Sequence, residues 1–345
     1  MATPTSSQTA LPTRKLGPEL HLSAARRLVA QTGQNTADAA LKLLDAAAGG
    51  KIDLSFLFGT VGPLSDGSQG VRQVAMAVPA VGRTAGVFVS EPLPGGDPGG
   101  PELGQAERIA SILAIRDHLA PGHRLGGAGS VQMLQALPTP TDVAVLQALR
   151  AAGFIQVGEL LYMQRSIRKS AAGLLRPPPV PSWPKDVRVA SLAALGGPIQ
   201  NHRKALALAL ERSYESTLDC PALCGLRATS DVLDSHLAVG EFDPALWFLV
   251  MKDDAPLGCM LLSRLPDQRA VELVYFGLAP QLRGIGLGRS LLDLGLRAMP
   301  QSGYDWLLCA VDRLNEPAVR VYQRAGFRAF AERVAMVLPL DAQKP

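Results

Sequence analysis

QLRGIGLGRSLL, residues 281–292, decides how the chain is read. It follows an apolar run at 271–278 that reads as a strand. It opens a segment, 286–299, in which Leu287, Leu291, Leu294 and Ala298 recur at helical spacing. Gly284, Gly286 and Gly288 let the backbone turn sharply and approach a ligand with no side chain in the way. Bare N–H groups at a helix start, together with the positive end of the helix dipole, form an anion site. Arg283 and Arg289 add charge, so the expected ligand is a phosphate or pyrophosphate. The dinucleotide pattern GxGxxG needs glycine at 289, where Arg289 stands, and the phosphate loop GxxxxGK[ST] is absent. What remains is Gln281-x-x-Gly284-x-Gly286. A glycine-rich turn capping a core helix is the plain alternative on these residues alone.

The neighbouring segments give the stretch its setting. Strands are expected at 187–192, 246–252, 256–263, 270–278, 305–311 and 332–340, and helices at 197–214, 229–239, 286–299 and 315–325. Strands joined by tight turns and followed by strand–helix–strand–helix–strand make a mixed α/β sheet. Three strands in hairpin order ahead of the glycine loop argue against a dinucleotide-binding domain.

Composition bounds the rest. The chain has 345 residues, 47% hydrophobic and 19% charged, which suits about two globular domains. The net charge of +4 comes with no Lys/Arg block, so no nucleic-acid partner is expected. Cys220, Cys224, Cys259 and Cys309 lack metal-site spacing, so no metal is expected, and reduced thiols suit a cytoplasmic protein. Residues 1–12 are Ser/Thr/Ala/Pro-rich without an apolar core and read as a disordered tail. No apolar run approaches the roughly 18 residues of a membrane span. The stretch AAGLLRPPPVPSWPKD, 171–186, reads as a linker between domains at 13–170 and 187–345.

The first half echoes the second. LRAAGF at 149–154 matches YQRAGF at 322–327. A hairpin at 71–78 and 84–90, a helix at 103–119, and strands at 131–137 and 158–166 follow the same order. Two copies of one fold are expected.

Three motifs then carry a resemblance: the loop at 281–286, ELVYFGL at 272–278, and NEPAVRVYQRAGF at 315–327. In this order and spacing they resemble the GCN5-related N-acetyltransferases (GNAT), and the whole chain resembles tandem members with a degenerate N-terminal copy. The resemblance implies a splayed sheet with acetyl-CoA between its fourth and fifth strands. It implies that Leu278 and Ala279 pair with the pantetheine arm, and that Asn315 touches it. Backbone N–H groups of Arg283, Gly284, Ile285, Gly286, Leu287, Gly288 and Arg289 would hold the pyrophosphate, with Gln281 a further cofactor-binding residue. It also implies direct attack by an amine, so Cys309 is no nucleophile. Glu272 is the candidate general base, on a strand expected to show Val271, Leu273 and Tyr275 on one face and Val274, Phe276 and Leu278 on the other. Tyr322 is the candidate acid that protonates the CoA sulfur.

In the first half Leu149 stands opposite Tyr322 and Asp142 opposite Asn315, and LPGGDPGGPELG at 93–104 carries prolines, Asp97 and Glu102 where phosphate would sit. No CoA is expected there. Tyr214, Glu215, Asp219, Cys220 and Trp247 fall where this family builds its acceptor pocket; the five histidines receive no role. The function expected is acetyl or short-acyl transfer to a small-molecule or peptide amine, the alternative a non-catalytic acyl-CoA sensor.

Overall fold

The computed structural model describes residues 10–30, 36–50, 52–120, 130–167, 182–299 and 303–340. The expected tail at 1–12 and linker at 171–186 lie largely outside these residues.

The chain folds as two compact units, one of Met1–Gln156 with Val334–Pro345, the other of Val157–Arg333. The first unit contains β1 (Arg14–Lys15), α1 (His21–Leu28), α2 (Thr36–Ala48), β2 (Leu57–Pro63), β3 (Gln69–Ala80), β4 (Thr84–Val89), α3 (Pro101–Leu119), β5 (Met133–Ala136) and α4 (Val143–Ala151). Strands β1 to β4 pair antiparallel in sequence order, and β5 runs parallel to β4 over only Thr84–Gly86. Ile112 and Ile115 of α3 and Leu146 and Leu149 of α4 pack on this sheet. Beneath α3 lies a buried ion pair, Arg72 to Glu107 at 2.9 Å.

The second unit begins within β6 (Ile155–Ser166). It continues with β7 (Val187–Ser191), α5 (Leu192–Leu195), α6 (Arg203–Tyr214), α7 (Thr229–Leu237), β8 (Trp247–Lys252), β9 (Ala255–Leu265) and β10 (Ala270–Leu278). Then come α8 (Leu287–Ala298), β11 (Trp306–Asp312), α9 (Glu316–Arg324) and the start of β12 (Arg328–Pro339). β7 to β10 form an antiparallel meander, and β11 joins β10 in parallel. One face of this sheet packs on α8 and α9 through Leu262, Leu273, Leu287, Leu291 and Tyr322. The other packs on α6 and α7 through Leu206, Leu210, Leu233, Trp247 and Leu261.

The unit boundaries differ from the expected cut in the proline-rich stretch, and strand pairing is the reason. β6, from the first half of the chain, pairs antiparallel with β11 from Trp306–Ser166 to Asp312–Leu160. β12, the last strand, pairs with β5 from Met336–Ala136 to Pro339–Met133. The second unit therefore opens with a strand that precedes the proline-rich stretch, and the first unit takes in the end of β12. Ahead of the expected hairpin, β2, α1 and α2 are elements the sequence reading left unassigned.

The repeat is visible in backbone geometry. Asp142, before α4, has φ −80° and ψ 59°; Asn315, before α9, has φ −79° and ψ 62°. Gly153 (φ 96°) and Gly326 (φ 87°) end the two helices in the left-handed conformation. In both, the N–H of the following phenylalanine reaches back at 3.0 Å, Phe154 to the Leu149 carbonyl and Phe327 to the Tyr322 carbonyl.

Candidate active site

The site begins where two strands part. β10 and β11 are paired only from Ala270–Trp306 to Leu273–Cys309. Among the described residues, the β11-facing edge of β10 has no partner strand beyond Leu273, which opens a wedge toward Leu278. At the same level β10 bulges: Leu273 opposes Leu262 and Tyr275 opposes Leu261, so Val274 is the extra residue. The bulge reverses which residues face which side. Phe276 and Leu278 join Leu273 on the α8/α9 side, whereas Val274 and Tyr275 lie on the α6/α7 side. The expected grouping of Tyr275 with Val271 and Leu273 is thereby corrected, because simple alternation does not survive an inserted residue.

After β10 the chain turns through the glycine stretch into α8. Gly284 and Gly286 have φ of 77° and 86°, which a side chain would strain. A Cβ at either would meet nothing within 4 Å, so the space above the loop is open. Ile285 points outward, 61% exposed. The first turn of a helix leaves its N–H groups without intrahelical partners. Among the described residues, the N–H groups of Gly284, Ile285, Gly286, Leu287 and Gly288 face no protein acceptor.

The arginines around the loop are already engaged. Arg283 donates to the carbonyls of Leu278 (2.8 Å), Ser216 (2.8 Å), Ser213 (2.9 Å) and Glu215 (2.9 Å). Its backbone N–H reaches the Pro280 carbonyl. Arg283 is thus a clamp between the loop and the end of α6, and its guanidinium is not a free phosphate ligand. Arg289 pairs with the buried Asp293 at 2.9 Å. What the loop offers an anion is its backbone N–H groups and the α8 dipole. Leu278 and Ala279 are also committed in part, since the Ala279 N–H bonds Leu257 O at 2.7 Å. Gln281 lies in a short turn at Pro280–Leu282, directly before the open N–H groups.

Glu272 sits on the α6/α7 side, opposite Ser263 of β9 and Leu308 of β11. Burial pushes its carboxyl above the ordinary value. On the other side Tyr322 is 5% exposed, with its ring centroid 5.4 Å from Phe327 and 6.3 Å from Phe276. Burial, then the nearby Cys309 and Asp219, push its hydroxyl well above the usual tyrosine value, so it keeps its proton. Cys309 is buried and its thiol is likewise pushed up, to about 12, which leaves it unreactive.

Asp219 is the acceptor-side candidate that the structure ties closest to these groups. Its carboxylate accepts the Asp312 N–H at 2.7 Å and the Asn315 side chain. Burial still leaves Asp219 above its ordinary value. Asp312 in turn accepts the Cys220 N–H at 3.1 Å. Gly158 of β6 makes room for this knot, because a Cβ there would lie 2.5 Å from Cys220 Sγ and 2.8 Å from Asp312 Oδ2. Asn315 caps α9 through Ala318 N–H at 3.3 Å while it holds Asp219. Trp247 is core, fully buried against Phe242 at 5.0 Å. Glu215 contributes its carbonyl to Arg283.

Sequence reasoning passed over Tyr275, Ser213 and His236, which meet beside Tyr214. Ser213 Oγ bonds Tyr275 Oη at 2.7 Å, and the rings of Tyr214 and His236 lie 5.9 and 5.5 Å from Tyr275. Burial lowers His236 to about 4, so it is neutral. Only the bulge brings Tyr275 to this face, and nothing local in the sequence announces a bulge. Among the described residues no group of three His, Cys, Asp or Glu could hold a metal ion, and no helix is long and apolar enough to cross a membrane.

Residues 211–327 match the sequence model of the acetyltransferase (GNAT) family. A mycothiol acetyltransferase of Streptomyces coelicolor is 36% identical over 95 residues, 28% of this chain and 31% of that protein. One from Beutenbergia cavernae is 28% identical over 257 residues, 70% of this chain and 82% of its own. The first match thus spans about a third of its relative's length. A crystal structure of a GCN5-related N-acetyltransferase from Sphaerobacter thermophilus shares the fold, at a TM-score of 0.56 and 20% identity, covering 96% of this chain and 97% of that one.

Proposed function

Residues 211–327 match the acetyltransferase (GNAT) family, and on that footing we propose that the chain transfers an acetyl, or short acyl, group from acetyl-CoA to a primary amine. The observation that carries this reading is the wedge between β10 and β11 ending at a loop of open N–H groups. The unpaired edge of β10 suits an extended arm, and the loop suits its pyrophosphate.

The reaction is a direct displacement. The amine nitrogen bonds to the thioester carbonyl carbon, Glu272 takes the proton the nitrogen sheds, and the carbon–sulfur bond breaks. The sulfur takes a proton from Tyr322, and solvent returns both residues to their starting forms. A raised Glu272 pKa makes a stronger base, and a raised Tyr322 pKa keeps the acid protonated at neutral pH. Asn315, held by Asp219, would contact the cofactor arm at the mouth of the wedge.

The relatives' shared name makes the unacetylated form of mycothiol the first acceptor to try, alongside amino sugars and peptide amines. Thiol release from acetyl-CoA over such a panel tests the proposal. Glu272→Gln should lower the rate by about 100-fold or more while acetyl-CoA still binds. Binding of acetyl-CoA without turnover of any amine would instead favour the sensor reading.

A further inference from the structure

Tyr162 precedes the proline-rich stretch in sequence, yet its strand, β6, is part of the unit that holds Glu272. Strand register fixes the side it occupies. Glu272 of β10 and Gln164 of β6 flank Leu308 of β11 from opposite edges. Tyr162 lies two residues along from Gln164, opposite Ala310. Directly opposed residues point to the same side of a sheet. Leu161 and Met163 pack on the α8/α9 side, so Tyr162 shares the Glu272 side.

Two strand spacings of about 4.8 Å separate β10 from β6. Ala310, which lies between them, carries only a methyl group. The Tyr162 ring meets Phe330 edge-on, with centroids 6.4 Å apart at 77°. The hydroxyl lies within electrostatic range of both the Glu272 carboxylate and the Arg333 guanidinium. Burial is the larger influence and raises its pKa, so it stays a neutral donor. No hydrogen bond engages it among the described residues. A partly buried hydroxyl without a hydrogen-bond partner among the described residues therefore lies within electrostatic range of the candidate base, at the level where β10 and β11 part.

We infer that Tyr162 is an acceptor-binding residue of the Glu272 site: its hydroxyl hydrogen-bonds the amine-bearing molecule, and its ring and Phe330 form the wall that seats it. This inference rests on the acetyl-transfer reading. Arg333 at the same wall selects a primary amine carried on a neutral or anionic hydrogen-bonding body and disfavours a polyamine.

The test compares full-length wild type, Tyr162→Phe and Tyr162→Ala in thiol release from acetyl-CoA. The amines are glucosamine, glycinamide, unacetylated mycothiol and spermidine. For the amine that wild type turns over best, Tyr162→Phe should raise the amine KM about tenfold, the loss of one strong neutral hydrogen bond. The KM for acetyl-CoA and the thermal midpoint should not move, because the ring still packs on Phe330. Tyr162→Ala should raise the amine KM further. An unchanged amine KM in Tyr162→Phe overturns the inference and leaves acetyl transfer standing. A parallel rise in the acetyl-CoA KM also overturns it. No transfer by wild type to any amine removes the acetyl-transfer reading, and this inference with it.

Discussion

Gly286 offers a perturbation that separates charge from strain. It has φ 86° and ψ −4° and caps α8, and a Cβ there would touch nothing within 4 Å. Alanine therefore fits and costs only the left-handed backbone, roughly 1–2 kcal/mol. That cost is the same with and without ligand. Gly286→Ala should lower the thermal midpoint by about 2–4 °C per kcal/mol and leave acetyl-CoA affinity nearly unchanged. Aspartate pays the same strain but recovers about 0.3–1 kcal/mol by placing a carboxylate at the helix N-terminus. Gly286→Asp should thus be at least as stable as Gly286→Ala. Its carboxylate would stand where the pyrophosphate belongs. Two unit charges near a protein surface interact by about 4 kcal/mol at 4 Å. Allowing for screening, a penalty of about 2–3 kcal/mol weakens binding roughly 30- to 150-fold. Calorimetric titration of the full-length variants with acetyl-CoA, beside thermal melts, makes the comparison. Equal affinity in the Asp and Ala variants would refute the loop as a phosphate cradle, however stable either proved.

Two further outcomes follow from the same side chains. The Glu272 carboxyl is raised in the folded state, so the stability it confers is present below the ordinary carboxylate value and is lost as pH rises through the raised one. Glu272→Gln should therefore melt higher than wild type at about pH 8 and match it at about pH 4; equal melting at both would show that the burial carries no such cost. Arg283→Ala removes four bonds to the carbonyls of Leu278, Ser213, Glu215 and Ser216 and should cost about 2 kcal/mol in denaturant unfolding. Arg283→Lys should recover little of it, because an ammonium cannot reproduce the planar fork.

The parts of the site that were legible in the sequence are the ones encoded locally. The glycines at 284 and 286 announce a backbone that leaves the usual conformations, and Asn315 with Gly326 brackets a short helix. Features that depend on partners were not legible. Arg283 reads as free charge until the carbonyls at the end of α6 are seen around it. Tyr275 reads as an α8/α9-side residue until the bulge at Val274 turns it over. Tyr162 carries no signal at all, since its place beside Glu272 comes from pairing between strands far apart in sequence. The proline-rich stretch marks a change of composition, whereas the physical divide follows hydrogen bonding and falls inside β6 and β12.

The exchange of β6 and β12 sets a timetable for synthesis. A ribosome delivers the chain from its N-terminus, and an early domain ordinarily closes before the next one emerges. Here the first unit waits for residues 336–339, made long after β5 itself, before β5 gains its second neighbour. β6 waits likewise, with an open edge, until Trp306–Asp312 arrives. Open edges invite pairing with other chains. The nascent protein therefore passes a long stretch of its translation with both sheets incomplete.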